Sequence, residues 1–221
     1  MDNKELEAND ISRSKMLANP KDYWDLFEKH VPSLGAGKSV LAYSIDSIGF
    51  LESLVSRSPE AACYVYGNSH INKLAKSILG DKIIVLKDDP LALDKYNIND
   101  MKFDCIIMNP PYSKNLHLKI LAEAIKHLKD ETSVCVNLSP VRWLQDPLAK
   151  YKKNSDYHRF EESIISHLSN VEYVDKLNAQ QCFESTVMGA DLAIYTATYN
   201  GGFNVDELIN PFIRKVISKL S

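Results

Sequence analysis

Short apolar runs alternate with helical patterns along most of this chain, and that alternation constrains the fold more than any single motif. Ser39–Ile45 (SVLAYSI), Ala62–Tyr66 (ACYVY), Ile83–Leu86 (IIVL), Phe103–Met108 (FDCIIM) and Ser133–Leu138 (SVCVNL) each read as a strand apolar enough to be covered on both faces. Helical patterns stand between them near Gly49–Arg57 and Asn72–Leu79, the second stopped by Gly80. The clearest helix follows the fourth strand, where Leu118, Leu121, Ala122, Ile125 and Leu128 recur on one face. A helix near Arg159–Leu168 precedes two late strands, Val171–Leu177 (VEYVDKL) and Asp191–Thr196 (DLAIYT). At the ends, Asp22–Val31 reads as a short amphipathic helix on Trp24, Phe27 and Val31, and Val205–Leu220 as a final helix on Leu208, Phe212, Val216 and Leu220. This order predicts an α/β fold, a doubly wound, mostly parallel sheet with helices on both faces. Ligands of such sheets sit at the carboxyl ends of the strands, where the strand order reverses.

A chain of 221 residues is one domain with a small appendage, and 45% hydrophobic content can bury a core without disulfides or metal. No apolar run is long enough for a membrane span, and the polar start MDNKELEANDISRSK is no secretory signal. Residues 1–18 read as a polar arm, 19–200 as the domain, and 201–221 as a C-terminal helix. That helix ends without a cap, which points to the start of a missing region. Cys63, Cys105, Cys135 and Cys182 have no zinc-ligand spacing and read as buried free thiols of a cytoplasmic protein. The six histidines form no metal-binding spacing either.

A net charge of -3 excludes a general polyanion binder, so nucleic acid must be met by a local basic patch. One stretch qualifies. Arg142, Lys150, Lys152, Lys153 and Arg159 are interleaved with Trp143, Tyr151, Tyr157 and His158. Leu34–Ser39 (LGAGKS) imitates the tail of a phosphate-binding loop, but Pro32 stands where its first glycine is required. A helix precedes it and a strand follows, the reverse of the phosphate-loop order, so it reads as a turn.

Asn109–Tyr112 (NPPY) follows FDCIIM directly. Two successive prolines end the ladder and fix φ twice, so the chain leaves the sheet as a stiff corner at a strand's carboxyl end. Such a corner suits chemistry on an exocyclic amine, whose lone pair is delocalised into its ring. An amide oxygen and a backbone carbonyl accepting its N–H bonds free that lone pair for attack on a methyl sulfonium. An aromatic ring can stack on a base that has left the duplex.

With these residues in this order, the chain resembles the S-adenosylmethionine-dependent amino-methyltransferases acting on adenine N6, chiefly of DNA. VLAYSIDSIGFLESLV stands where that family has its first cofactor motif, AACYVYGNSHINKLAKS at the second and KDDPLALD at the third. VEYVDKL and CFESTVMGADLAIYTAT resemble its late antiparallel hairpin, so the resemblance implies a Rossmann-like methyltransferase sheet. It further implies that Asn109, Pro110, Pro111 and Tyr112 are catalytic, Asn109 and the Pro110 carbonyl polarising the amine and Tyr112 stacking on the flipped base. Ser44, Asp46, Gly49, Phe50, Ser69 and Asp89 would meet S-adenosylmethionine. Phe183, Arg142, Lys152 and Lys153 would meet substrate. The implied partners are double-stranded DNA and a second chain supplying target recognition, since only 23 residues follow Thr198.

The first two cofactor motifs depart from the family pattern. Ala42 occupies the acidic position, Asp46 and Ile48 occupy glycine positions, and Ser69 stands for the ribose carboxylate. An isoleucine at a positive-φ site is a steric outlier. Three readings therefore stand side by side: a DNA adenine methyltransferase, a catalytically silent relative that binds nucleic acid or a defence-system partner, and a methyltransferase acting on RNA or on protein glutamine.

Overall fold

The computed structural model describes residues 24–91, 101–145, 154–174 and 192–205. The chain order is β1 (Ser39–Tyr43), α1 (Ile48–Arg57), β2 (Ala62–Tyr66), α2 (Ser69–Leu79), β3 (Ile84–Val85), β4 (Cys105–Met108), α3 (Leu116–Lys126), β5 (Val134–Pro140), α4 (Arg142–Gln145), α5 (Asp156–Arg159), β6 (Leu168–Tyr173) and β7 (Leu192–Ala197). The strands form one seven-stranded sheet in the order β3-β2-β1-β4-β5-β7-β6. Strands β1 to β5 pair in parallel, while β7 runs antiparallel to both β5 and β6. The predicted mostly parallel sheet with a late hairpin is the one observed. Its order reverses between β1 and β4, and sheets of this kind carry their ligand cleft at such a switch point, at the carboxyl ends of the strands.

The two-residue period of a strand sorts these apolar runs onto two faces. Leu41, Tyr43, Ile106, Met108 and Cys135 join Leu118, Leu121 and Ala124 of α3 in one core. Val40, Ala42, Cys105, Ile107 and Val136 join Phe50, Leu51 and Leu54 of α1 in the other. Trp24 and Phe27 strike Phe50 edge-on at 5.0 and 5.2 Å, so the apolar positions read near the amino end are core residues. The backbone after them is a 3-10 turn, Glu28–His30.

LGAGKS is a turn into β1, with Gly37 at φ +76°. The Lys38 ammonium lies 2.9 Å from Asp104, where a phosphate loop would aim it at a ligand. Asp104 is buried at the amino end of β4 and also accepts from the Ser39 amide at 2.9 Å and faces Lys129 at 3.4 Å. Burial pushes the Asp104 carboxyl up, but the Lys38 and Ser39 bonds and the Lys129 charge outweigh it and hold the group below its ordinary range.

Several boundaries move. Asn68 starts α2 at Ser69, three residues early, because its side chain accepts from the His70 and Ile71 amides. The helix expected near Arg159–Leu168 is instead short α5 and a 3-10 turn, Ile165–His167. Leu168 is needed in the sheet, where it pairs with Ala197. Strand β6 thus runs earlier than predicted and ends at Tyr173. Cys63, Cys105 and Cys135 are buried free thiols, and burial pushes the Cys63 thiol up to about 12. Cys182, the polar arm and the C-terminal helix beyond Val205 lie outside the described residues. No described helix is long and apolar enough to cross a membrane.

Candidate functional site

The Asn-Pro-Pro-Tyr corner sits at the carboxyl end of β4. The Asn109 amide donates to the Tyr43 carbonyl at 3.3 Å, the last bond from this strand to β1. Pro110 and Pro111 have no N–H with which to continue, so the chain turns out of the sheet. Pro110 is buried, while Asn109, Pro111 and Tyr112 are half-buried. The Tyr112 hydroxyl donates to Asn109 Oδ1 at 2.9 Å and lies 3.4 Å from the Leu138 carbonyl on β5. Its ring meets His117 edge-on at 5.7 Å. Burial lowers the His117 imidazole to about 4, against the opposing pull of the Tyr112 backbone and the Asp156 charge, so His117 is neutral at pH 7.

Between Tyr112 and α3 the backbone is left-handed at two successive non-glycine residues, Lys114 (φ 52°) and Asn115 (φ 58°). The left-handed form costs an ordinary L-residue roughly 1–2 kcal/mol. Asn115 stands at the cap position of α3, yet its side chain makes no cap bond. Its amide instead donates to Asp156 Oδ2 at 2.7 Å, and the other carboxylate oxygen of Asp156 receives Arg159 at 3.2 Å.

The β1–α1 turn differs from the expectation. Ile48 does not carry the positive φ; it is the first residue of α1, and the left-handed residue is Ser44 at φ 54°. Ser44 donates its amide to the Tyr66 carbonyl at 2.7 Å. A Cβ on Gly67 would lie 3.2 Å from Ser44 Cα, so the glycine that permits this approach belongs to the next loop. Ser47 caps α1 by accepting from the Phe50 amide at 3.2 Å, which a polar residue before an apolar helix signals in sequence. Phe50 is fully buried against Trp24 and Phe27, so its side chain packs in the core. Asp46 and Gly49 are half-buried beside it in sequence. Ala42 is fully buried on the α1 face, in the core rather than at the cleft.

Asp89 is brought to the cleft. Its Oδ2 accepts from the Tyr43 hydroxyl at 3.3 Å and its Oδ1 from the Leu91 amide at 2.9 Å. Tyr43 and Tyr66, paired in register at the carboxyl ends of β1 and β2, have ring centroids 5.3 Å apart. Both were passed over in the sequence, although each is an aromatic residue ending a strand. Ser69, at the position where the family resemblance puts a ribose carboxylate, stands exposed as the first residue of α2.

Of the basic stretch, Arg142 is exposed at the start of α4, whereas Lys152, Lys153 and the late-loop Phe183 lie outside the described residues. Two of its aromatics are structural. Trp143 donates to the Tyr195 hydroxyl at 3.1 Å, and Tyr157 is buried in the core.

No family model matches the chain, and no curated protein matches it in sequence. Solved structures do. The chain is similar to one in the fibrillarin/Nop5p complex, with 14% identity over 80% of each chain and a TM-score of 0.51. It is also similar to a TehB-like SAM-dependent methyltransferase from Corynebacterium glutamicum (14% identity, 80% of this chain and 86% of that one, TM-score 0.49). A third is the N-methyltransferase NodS from Bradyrhizobium japonicum (13% identity, 82% and 93%, TM-score 0.48). At such identities the likeness is one of fold. The sheet has the Rossmann-like methyltransferase architecture, seven strands with one antiparallel hairpin.

Proposed function

We propose that this chain transfers a methyl group from S-adenosylmethionine to an exocyclic amine, the N6 amine of adenine in DNA, at the corner Asn109–Tyr112. The observation that carries the reading is the position of the Asn109 amide: at the carboxyl end of β4, beside the switch point, on a backbone that two prolines hold.

The residues present fit the cofactor at two points. Asp89, half-buried and bonded to the tyrosine that ends β1, is an acidic acceptor of the type an adenine amine needs, and Asp46 is a half-buried carboxylate of the type that meets an ammonium or a ribose hydroxyl. The Ser44–Gly67 approach supplies the close-packed turn below them. When bound, the cofactor supplies an electrophilic methyl on sulfur. Asn109 Oδ1 and the Pro110 carbonyl accept the two amine hydrogens and localise the nitrogen lone pair. The Tyr112 hydroxyl gives way at Asn109 Oδ1 as the amine arrives, and the Tyr112 ring stacks on the base. The amine nitrogen would gain the methyl as the methyl–sulfur bond breaks, the bond's electron pair leaving on a neutral thioether, and would give up one proton to water. Orientation and lone-pair localisation supply the rate, with no covalent protein intermediate. DNA is held by the basic stretch around Arg142, and a second chain supplies target choice.

A silent relative is the second reading, and Ser69 favours it. A serine at the start of α2 offers one hydroxyl where a carboxylate would hold both ribose hydroxyls. Calorimetric titration with S-adenosylmethionine separates the two: micromolar binding supports the enzyme, and no binding at millimolar ligand supports the silent relative. Transfer of labelled methyl to duplex DNA, RNA and a glutamine peptide then fixes the substrate. Asn109→Ala is expected to lower kcat by roughly 10²–10³, as loss of one transition-state hydrogen-bonding group does. Full transfer by that variant overturns the assignment.

A further inference from the structure

We propose that Asn115 and Asp156 are a positioning pair that ties the Asn-Pro-Pro-Tyr corner to α5, so that the element adjoining the basic stretch sets where Asn109 and Tyr112 stand. This rests on the transfer reading for its consequence, though not for the tie itself. Asn115 does not do the usual work of a residue at its position. Asparagine before a helix ordinarily accepts from the helix's own first amides. Asn115 makes no such bond, and its amide reaches across 41 residues of sequence to the Asp156 carboxylate at 2.7 Å. A bond to an ionised carboxylate is stronger than one between neutral groups. Two consecutive left-handed non-glycine residues, Lys114 and Asn115, bring the amide there. Backbone strain persists only where surrounding contacts impose it, and the bond to Asp156 is the contact that does so.

Both ends of the tie matter by location. Asn115 lies three residues after Tyr112 and two before His117, whose ring is edge-on to that of Tyr112. Fixing Asn115 therefore holds the backbone between Tyr112 and the His117 ring it meets, and Tyr112 in turn is bonded to Asn109 Oδ1. Asp156 opens α5 and also holds Arg159, the last cation of the basic stretch. A polyanion drawing on Arg159 acts on the carboxylate that anchors the corner. Neither residue touches the reacting atoms, so both are positioning residues.

The discriminating variant is Asn115→Gly. Glycine adopts φ 58° at no steric cost, so the fold keeps its turn while the amide is lost. Asp156→Asn keeps an acceptor for Asn115 and serves as the conservative control. Melting temperature, hydrogen exchange across residues 112–117, and steady-state methylation of duplex DNA are measured on the full chain. Asn115→Gly is expected to stay folded and melt somewhat lower than wild type, to exchange faster across 112–117, and to lose roughly 10- to 100-fold in kcat with KM for DNA unchanged. Asp156→Asn is expected to keep exchange and kcat within about threefold of wild type, as a retained acceptor implies. Wild-type exchange in Asn115→Gly overturns the tie, and faster exchange with wild-type kcat overturns its role in transfer. If the wild-type chain methylates none of the substrates, the transfer reading falls by itself, and the exchange result still decides the tie.

Discussion

The Tyr112 hydroxyl lies 2.9 Å from Asn109 Oδ1, so the oxygen assigned to the target amine already accepts a hydrogen bond within its own tetrapeptide. The arriving amine competes with that hydroxyl for Asn109 Oδ1, an exchange of one hydrogen bond for another. Tyr112→Phe keeps the ring and removes the rival donor. A neutral hydrogen bond is worth about 1 kcal/mol, so KM for the adenine substrate should fall by roughly fivefold with little change in kcat. Steady-state kinetics on duplex DNA checks this; a higher KM would mean that the hydroxyl orients Asn109 rather than competing for it.

Gly67 and Ser44 meet through backbone. A methyl on Gly67 would press on Ser44 Cα at 3.2 Å and Ser44 N at 3.4 Å, atoms that cannot rotate away. Gly67→Ala should therefore cost about 1–3 kcal/mol, the range of overpacking, and move the β1–α1 turn. Urea unfolding gives the stability, and calorimetry with S-adenosylmethionine shows a weaker site if the turn carries the cofactor.

His117 and the unfolded chain differ in proton affinity. The folded imidazole is lowered to about 4, while an unfolded histidine titrates near 6.5. The unfolded state thus binds the extra proton first, and stability falls as pH drops through the interval from about 6.5 to about 4. The full effect is on the order of 3 kcal/mol. Urea midpoints measured between pH 7 and pH 4 should fall less steeply for His117→Phe, which removes the titrating group from both states.

Asp104 acts in a lower window. Its folded carboxyl is depressed below the unfolded value, so its contribution is present above the ordinary aspartate range and is lost as pH falls through the folded pKa. Asp104→Asn keeps the shape and removes the charge facing Lys38 and Lys129. Since both lysines are about half exposed, the expected loss at pH 7 is only about 1–3 kcal/mol. Chemical denaturation at pH 7 and at pH 3 checks it, with the difference from wild type shrinking at the lower pH.

Much of this architecture was legible along the chain. Leu41, Ile106 and Val136 lie in runs too short for core helices and too apolar for a wet sheet, and all three are buried strand residues. The prolines at 110 and 111 announced where β4 stops. Aligned residue by residue with the family's first motif, the left-handed position falls on Ile48, whereas helix α1 begins there and Ser44 makes the turn. Helical spacing places the Phe50 side chain with Leu51 and Leu54 in the core.

Local chemistry thus determined the alternation of strands and helices and the stiff corner at Asn109–Tyr112, because burial periodicity and the missing proline N–H act over a few residues. Only the tertiary structure decided that Gly67 serves the Ser44 turn, that Tyr43 holds Asp89, and that Asn115 reaches Asp156. Those partners lie 23, 46 and 41 residues apart, and strand order and helix docking, not anything written beside either residue, bring them within contact.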